Sequence, residues 1–342
     1  MLKDDPFVSV LPESEQQQII NMPVARLMGE ALKIYGPLVL LLFGLPGNIL
    51  SYMVMNEAQF RHTTTSYFIR VLAICDNGYL ISRCLQRYML STFLRPVLIE
   101  WNALRAFCLE YLFTATFTTA ASRYVLVLMT YDRLVALLFP LRARAFPGMK
   151  IAKILTFTVL LWSFIDGFTY LFAQYSEIYS HWLCPYYFDD FFGDLYTLLW
   201  NVTTVTSCSL LVVANALIAW TLYSSAHRMK SLQEDGKTDS KTETQKRSAK
   251  NRQISLMLLL VSCFYIISNV PREIDSQFWR YYPELATSVP DLLSLTLEFS
   301  IFFEALNYAI NFYLYVASCH KFRATLRRKF MMSKKGSEKN DS

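Results

Sequence analysis

The chain has 342 residues, 54% hydrophobic and 18% charged, with a formal net charge of +6 and a positive mean hydropathy of +0.26. A soluble domain of this size carries more charge, and here the apolar residues gather in long blocks, so composition sets aside the soluble classes in favour of a polytopic membrane protein.

In chain order, a tail over 1–33 precedes seven apolar blocks of spanning length, approximately 34–55, 67–90, 104–132, 151–174, 196–223, 254–279 and 288–316. A bilayer core of about 30 Å takes roughly 20 helical residues, so each block predicts one transmembrane helix, and no eighth candidate exists. The opening Met-Leu-Lys-Asp-Asp-Pro lacks the apolar core of a cleavable signal, which leaves the first span as the expected anchor. Lysine and arginine resist translocation and therefore report orientation. With the amino terminus outside, 21 of the 33 basic residues fall on cytoplasmic segments, chiefly 228–252 and 321–339. The expected organisation is an all-α, multi-pass plasma-membrane protein with its amino terminus extracellular. It divides into an outer tail (1–33), a seven-helix unit (34–318) with a third cytoplasmic connector near 228–252, and a cytoplasmic tail (319–342). The charge of +6 follows from this topology and attracts anionic inner-leaflet lipid, so membrane lipid is an expected partner and nucleic acid is not. The one sequon, Asn201-Val202-Thr203, sits near the top of the fifth span.

Within the third block Cys108 precedes Arg133 by 25 residues, about 37 Å of helix, which places the two at opposite membrane faces. Ionisable groups inside a span are costly and need a partner or a function. Asp76 lies mid-way along the second span and Ser122 lies eleven residues before Arg133. Asn307 and Asn311 stand one turn apart in the seventh span, on a face that can meet Asp76. Arg123, deep in the third span, wants an acid or several carbonyls, and the sequence names none.

Six features occur in the order found in the rhodopsin-like G-protein-coupled receptors, and the chain resembles that family over nearly its whole length. They are Gly47-Asn48, Leu72-Ala73-Ile74-Cys75-Asp76, Tyr131-Asp132-Arg133, Trp162, Pro271, and Asn311-Phe-Tyr-Leu-Tyr315. The resemblance implies a seven-transmembrane helix bundle without enzymatic activity that binds an extracellular ligand and activates a heterotrimeric G protein, with arrestin and receptor kinases as further partners. Residues 321–330 resemble the family's short amphipathic eighth helix on the inner leaflet. Arg133 resembles the arginine held at rest by its neighbouring acid, Asp132, and freed toward the G protein when the sixth helix swings outward. Tyr223 and Tyr315 would support the open state, and Pro271 would be the pivot. Asp76, Ser122, Asn307 and Asn311 resemble the residues that hold a sodium ion in this family, and an ion-free polar core is the other reading of the same four. Cys108 and Cys184 both fall on the outer side, whereas Cys75, Cys208 and Cys263 lie inside apolar runs, so a Cys108–Cys184 disulfide is the economical pairing. Cys319, beside His320-Lys321, is a candidate for lipidation.

The chain also departs from the family pattern. Ser268-Asn269-Val270-Pro271 lacks the usual tryptophan, Phe312 stands where the seventh span usually has proline, and the fifth span has no proline. Asn-x-Pro followed by Asn-Phe-x-x-Tyr is similar to invertebrate neuropeptide receptors, including FMRFamide-like ones. Residues 288–316 contain no lysine for retinal, and Ala115 stands where amine receptors have a carboxylate. The stretch 185–194 carries Asp189, Asp190 and Asp194 with five aromatics and no base, which suits a basic peptide, or forms a solvated lid. Glu304 and Glu273 are candidate acceptors for a ligand arginine, and Arg83 and Arg87 for a ligand acid, while Arg83 and Glu304 can equally neutralise each other. The alternatives to a peptide receptor are a chemosensory receptor for small molecules and a seven-span transporter or channel.

Overall fold

The computed structural model describes residues 23–89, 101–139, 148–169, 174–175, 186–187, 190–234, 243–282 and 288–329. The elements are α1 (Val24–Met55), α2 (Thr64–Tyr79, continued by a π-helical turn Leu80–Leu85 and by Gln86–Met89), α3 (Trp101–Leu138) and α4 (Gly148–Phe168). A two-residue antiparallel pair follows, β1 (Gln174–Tyr175) with β2 (Tyr186–Tyr187), then α5 (Asp190–Glu234), α6 (Glu243–Tyr281) and α7 (Pro290–Ser318). A final helix, α8, covers 320–329. The fold is an all-α seven-helix bundle with a short eighth helix, as expected, and all seven predicted spans are present.

Six of the helices are individually long and apolar enough to cross a bilayer. The second is divided by its π turn, so neither α-helical part reaches spanning length alone although 64–89 is continuous helix. Ser82 stabilises the widened turn by donating to the Gly78 carbonyl at 2.8 Å. Most helices overrun their apolar blocks: α1 begins at Val24, inside the expected tail, and α5 and α6 both continue into the 228–252 connector. Hydropathy marks the lipid-crossing stretch, whereas helix-forming polar residues carry the backbone pattern on into water. The fourth helix does the reverse and stops at Phe168, short of the predicted 174.

Helix α3 is the axis of the bundle, with 61% of its most apolar stretch buried by protein against 22% for α4, which turns Phe157, Leu161 and Phe164 outward. The half of the core nearer Arg133 contains Leu72, Val125, Met129, Leu258, Val261, Tyr315 and Phe322, and the other half Leu40, Tyr79, Leu80, Ala305 and Tyr308. Close approach of α1 to α7 depends on Gly44, where a Cβ would lie 2.6 Å from Leu80 Cδ1 and 2.8 Å from Ala309 Cβ. The chain turns into α8 because Arg323 donates to the Val316 and Ala317 carbonyls at 2.7 and 2.9 Å, satisfying the open end of α7. Phe322 is fully buried beneath Tyr315, and Lys329 pairs with Glu57 at 2.8 Å, so α8 is clamped to the α1–α2 turn.

Candidate functional site

Three polar centres are strung through the bundle. Toward the carboxyl end of α3, Asp132 Oδ2 accepts from Arg133 Nη2 at 2.6 Å and Nε at 3.1 Å, and from the Thr64 hydroxyl at 2.9 Å. Arg133 Nη2 also donates to Thr64 Oγ1 at 3.2 Å, closing a triangle across α2 and α3. Thr64 sits at the first helical position of α2 because Thr63 caps that end, accepting from the Ser66 amide at 3.3 Å. The arginine is thus held by a neighbouring acid and by a hydroxyl on a second helix. Its side chain is 14% exposed, close enough to the surface to be released without unfolding anything. Tyr315 packs against Phe322 with ring centroids 5.8 Å apart and planes tilted by 56°.

Half-way through the membrane, Asp76 is fully buried and bridges two helices. It accepts from Ser122 Oγ of α3 at 2.5 Å and from Asn311 Nδ2 of α7 at 2.7 Å. The side-chain oxygens of Asn307, Asn311 and Asn48 are buried without a hydrogen-bond partner. An all-oxygen donor set with spare carbonyl oxygens fits a small hard cation such as sodium. The structure brings Asp76, Ser122 and Asn311 together, while Asn307, also buried, makes no hydrogen bond to Asp76.

The third centre, at the opposite end of the bundle from Arg133, is built on α6 and α7. Arg272, one residue beyond the helix-kinking Pro271, holds Glu304 through Nε at 3.7 Å and Asp275 through Nη1 at 3.7 Å. Asp275 Oδ2 also accepts from Ser300 at 3.3 Å, and Glu273 accepts from the Trp200 indole of α5 at 3.4 Å. Beneath Glu304, Tyr79 and Tyr308 stack with centroids 3.6 Å apart, joining α2 to α7. Arg123, 3% exposed, donates to Thr204 Oγ1 at 2.5 Å and lies 5.2 Å from the Trp200 ring and 5.9 Å from the Tyr124 ring.

A model of the seven-transmembrane receptors of the rhodopsin family matches residues 47–320. The chain belongs to the rhodopsin family of seven-transmembrane receptors. The crystal structure of squid rhodopsin superposes with a TM-score of 0.68 over 95% of this chain and 90% of that one, at 16% identity, a likeness of fold. A search of the curated proteins found no match. Membership of the family makes this a multi-pass, non-enzymatic receptor that signals from an extracellular ligand through a G protein.

Several expectations for the receptor are altered by the geometry. Glu304 lies 3.7 Å from Arg272 of α6, a pair that ties α6 to α7, so the alternative in which Arg83 neutralises Glu304 gives way to one in which Arg272 does. Arg83 instead lines a small cleft with Glu298, Cys84 and Phe302. Arg83 itself lies within the π-helical turn Leu80–Leu85. Tyr223 is 68% exposed on α5, facing outward, whereas Tyr315 is buried, so the two tyrosines do not converge in this structure. Cys319 is 4% exposed and packs in the core with Tyr315 and Phe322, so its thiol faces protein and lipidation there would require that packing to open. Cys108 is disulfide-bonded, with its partner outside the described residues. Cys184 and Asp189 also lie outside them, as do the side chains of Arg87 and Asp190. Sequence reasoning missed a polar tie between α5 and α6, where Ser262 donates to Asn215 Oδ1 at 2.7 Å. Asn215 inside an apolar run was the available signal for it.

Proposed function

We propose that this receptor is activated by an extracellular peptide and that Arg133 carries the response to a heterotrimeric G protein. The observation that supports this most is the separation of two charged centres by one rigid helix bundle, Asp132–Arg133–Thr64 at the inner end and Arg272–Glu304–Asp275 at the outer. Arg272 sits 3.7 Å from both acids and hydrogen-bonds neither, a loose contact that a basic group of a ligand can replace, with Glu304 and Glu273 as acceptors. A ligand that draws α6 away from α7 at this pair moves the segment just beyond Pro271. The kink allows that displacement to become an outward swing of the inner half of α6. Arg133 then leaves Asp132 for the G protein, with Tyr315 and Tyr223 supporting the open state. Sodium held by Asp76, Ser122, Asn307 and Asn311 would favour the closed state by tying α2, α3 and α7 together. The acidic, aromatic stretch 185–194 suits a basic peptide, and Arg83 and Arg87 suit a ligand acid. The pattern around Pro271 and Asn311 favours the invertebrate neuropeptide, FMRFamide-like, branch. Arrestin and receptor kinases would act at the cytoplasmic face, where Ser240, Thr242, Thr244 and Ser248 offer phosphorylation sites. The test is a second-messenger screen of expressing cells against amidated peptides and small odorants. A peptide response that Arg133→Ala abolishes, with peptide binding retained, is the expected result. A response to odorants alone would overturn the peptide reading.

A further inference from the structure

The clamp binds Arg133 to Asp132 and Thr64 and touches α6 nowhere among the described residues, so it does not itself hold the helix whose swing would uncover the arginine. The half of α6 beyond Pro271 is fastened to two neighbours, through Glu273 and Gln277 to Trp200 and Asn201 of α5, and through Arg272 and Asp275 to Glu304 and Ser300 of α7. The half before Pro271 is held differently. Over the described residues 252–270, only Ser262 and Cys263 hydrogen-bond another helix, and both meet one residue, Asn215 of α5. Ser268 and Asn269 bond back to the Tyr265 carbonyl of their own helix. Asn215 Oδ1 accepts from the Ser262 hydroxyl at 2.7 Å, and Asn215 Nδ2 donates to Cys263 Sγ at 3.9 Å. Asn215 is 6% exposed and Ser262 fully buried, and polar groups kept inside a span in this way are costly unless they have a partner or a task. The bond lies level with the clamp: Ala214, the residue before Asn215, packs against Leu134, the residue after Arg133, with Leu259 of α6 beside them.

This bond can be broken and remade at small cost. The Ser262 hydroxyl has one proton, and the Leu258 carbonyl of its own helix stands 2.8 Å away as an alternative acceptor. On release Ser262 turns to Leu258, and water entering behind α6 replaces it at Asn215 Oδ1, so neither helix keeps an orphaned group. Ser262 lies nine residues before Pro271, about 14 Å along the helix. A tilt of about 4° at the proline moves it by about 1 Å, enough to take a 2.7 Å hydrogen bond past its working limit. The bond is therefore lost at the start of any swing that α5 does not share. We propose that Asn215–Ser262 is a releasable latch on α6, a second restraint on activation that acts separately from the Asp132–Arg133–Thr64 clamp. Asn215 and Ser262 are positioning residues: they touch neither ligand nor G protein and set the fraction of receptor in which α6 has swung. The latch rests on the outward swing of α6 described under the proposed function.

The experiment is guanine-nucleotide exchange catalysed without ligand by full-length receptor in lipid nanodiscs, on purified G proteins of each major class, normalised to folded receptor, with the unfolding midpoint of every variant read alongside. Ser262→Ala and Asn215→Leu are each expected to raise exchange by about 2–10-fold, the range that single interhelical hydrogen bonds in membranes allow. The two together should give no more than either alone, because one bond is lost, whereas Ser262→Ala combined with Asp132→Asn should multiply the separate increases. Unchanged exchange in Ser262→Ala and Asn215→Leu, even with lowered midpoints, would make the pair mere packing and overturn the proposal. A fall in exchange would show that α5 travels with α6 and that the bond supports opening, which overturns it equally. An increase from Ser262→Ala that vanishes in the Asp132→Asn background would make latch and clamp one device and refute their separation. Should Asn215→Leu fail to fold, Ser262→Ala with and without Asp132→Asn decides alone. Exchange that rises in Asp132→Asn but not in Ser262→Ala counts against the latch only, whereas silence of both also removes Arg133 from its role in the receptor reading, so the two failures are distinguishable.

Discussion

Replacing Asp132 by asparagine keeps the shape of the side chain and an acceptor oxygen but removes the charge that holds Arg133. In the closed state the arginine makes two hydrogen bonds to Asp132, at 2.6 and 3.1 Å, and one to Thr64. Hydrogen bonds to charged groups contribute about 1.5–3 kcal/mol. The Arg133 and Asp132 side chains are 14% and 23% exposed, so water screens part of this, and a loss of about 1–2 kcal/mol from the closed state is the working figure. The open state, in which Arg133 has left Asp132, loses nothing comparable. The ratio of open to closed receptor should therefore rise by about 5–30-fold, since each 1.4 kcal/mol is a factor of ten. Thr64→Val removes only the hydroxyl's two contacts, worth about 0.5–1.5 kcal/mol, and should give about 2–10-fold. The assay is guanine-nucleotide exchange on a purified G protein, catalysed by receptor in nanodiscs without ligand, normalised to folded receptor. Exchange by Asp132→Asn at or below the unaltered level, with Thr64→Val also unchanged, would show that the triangle does not restrain Arg133.

Ser122→Ala strips the buried Asp76 carboxylate of its 2.5 Å hydrogen bond. It should cost about 1–3 kcal/mol, seen as a lowered midpoint in thermal unfolding, and an unchanged midpoint would remove Ser122 from the bridge. Gly44→Val drives a branched side chain into Leu80 and Ala309 and should destabilise by about 1–3 kcal/mol or more, measurable as a lower yield of folded receptor after heating. The Glu57 carboxyl is held below its ordinary range by the hydrogen bond from Lys329 and then by that residue's charge. A folded value below the unfolded one stabilises at pH above the ordinary carboxylate range and is lost as pH falls through the depressed value. The partners are 31% and 36% exposed, so the effect should stay below about 1 kcal/mol. Glu57→Gln should slightly lower the unfolding midpoint near neutrality and leave it unchanged at the acid end, flattening the acid limb; an equal drop at all pH values would show that the charge is not the cause.

Seven spans and the pairing of Asp132 with Arg133 were legible because both are local: one is a run of apolar residues, the other two adjacent side chains. Asp76, Ser122 and Asn311 could be brought together because the helical period puts each on an inward face. Thr64 could not be read as the third member of the clamp, since nothing in a hydroxyl at a helix start marks which neighbour it will meet. The partner of Glu304 could not be read either, because which base reaches it depends on how α6 and α7 are rotated against each other, and Arg272 only meets it through that packing. Cys319 looked like a juxtamembrane thiol by position, and only the packing of α8 against Tyr315 turns it inward. The partners of Arg123, Thr204 and Trp200, come from α5 and depend on helix rotation, which hydropathy does not fix.

The account stands on α3 carrying its cysteine end to the exterior and its arginine end to the cytosol. Glu110 and Leu138 are exposed near the two ends of that helix, 28 residues or about 42 Å apart. Glu110→Cys should react with a membrane-impermeant maleimide on intact cells, and Leu138→Cys only after permeabilisation. Labelling of both from the same side would contradict the orientation, and with it the inner clamp and the outer ligand pocket.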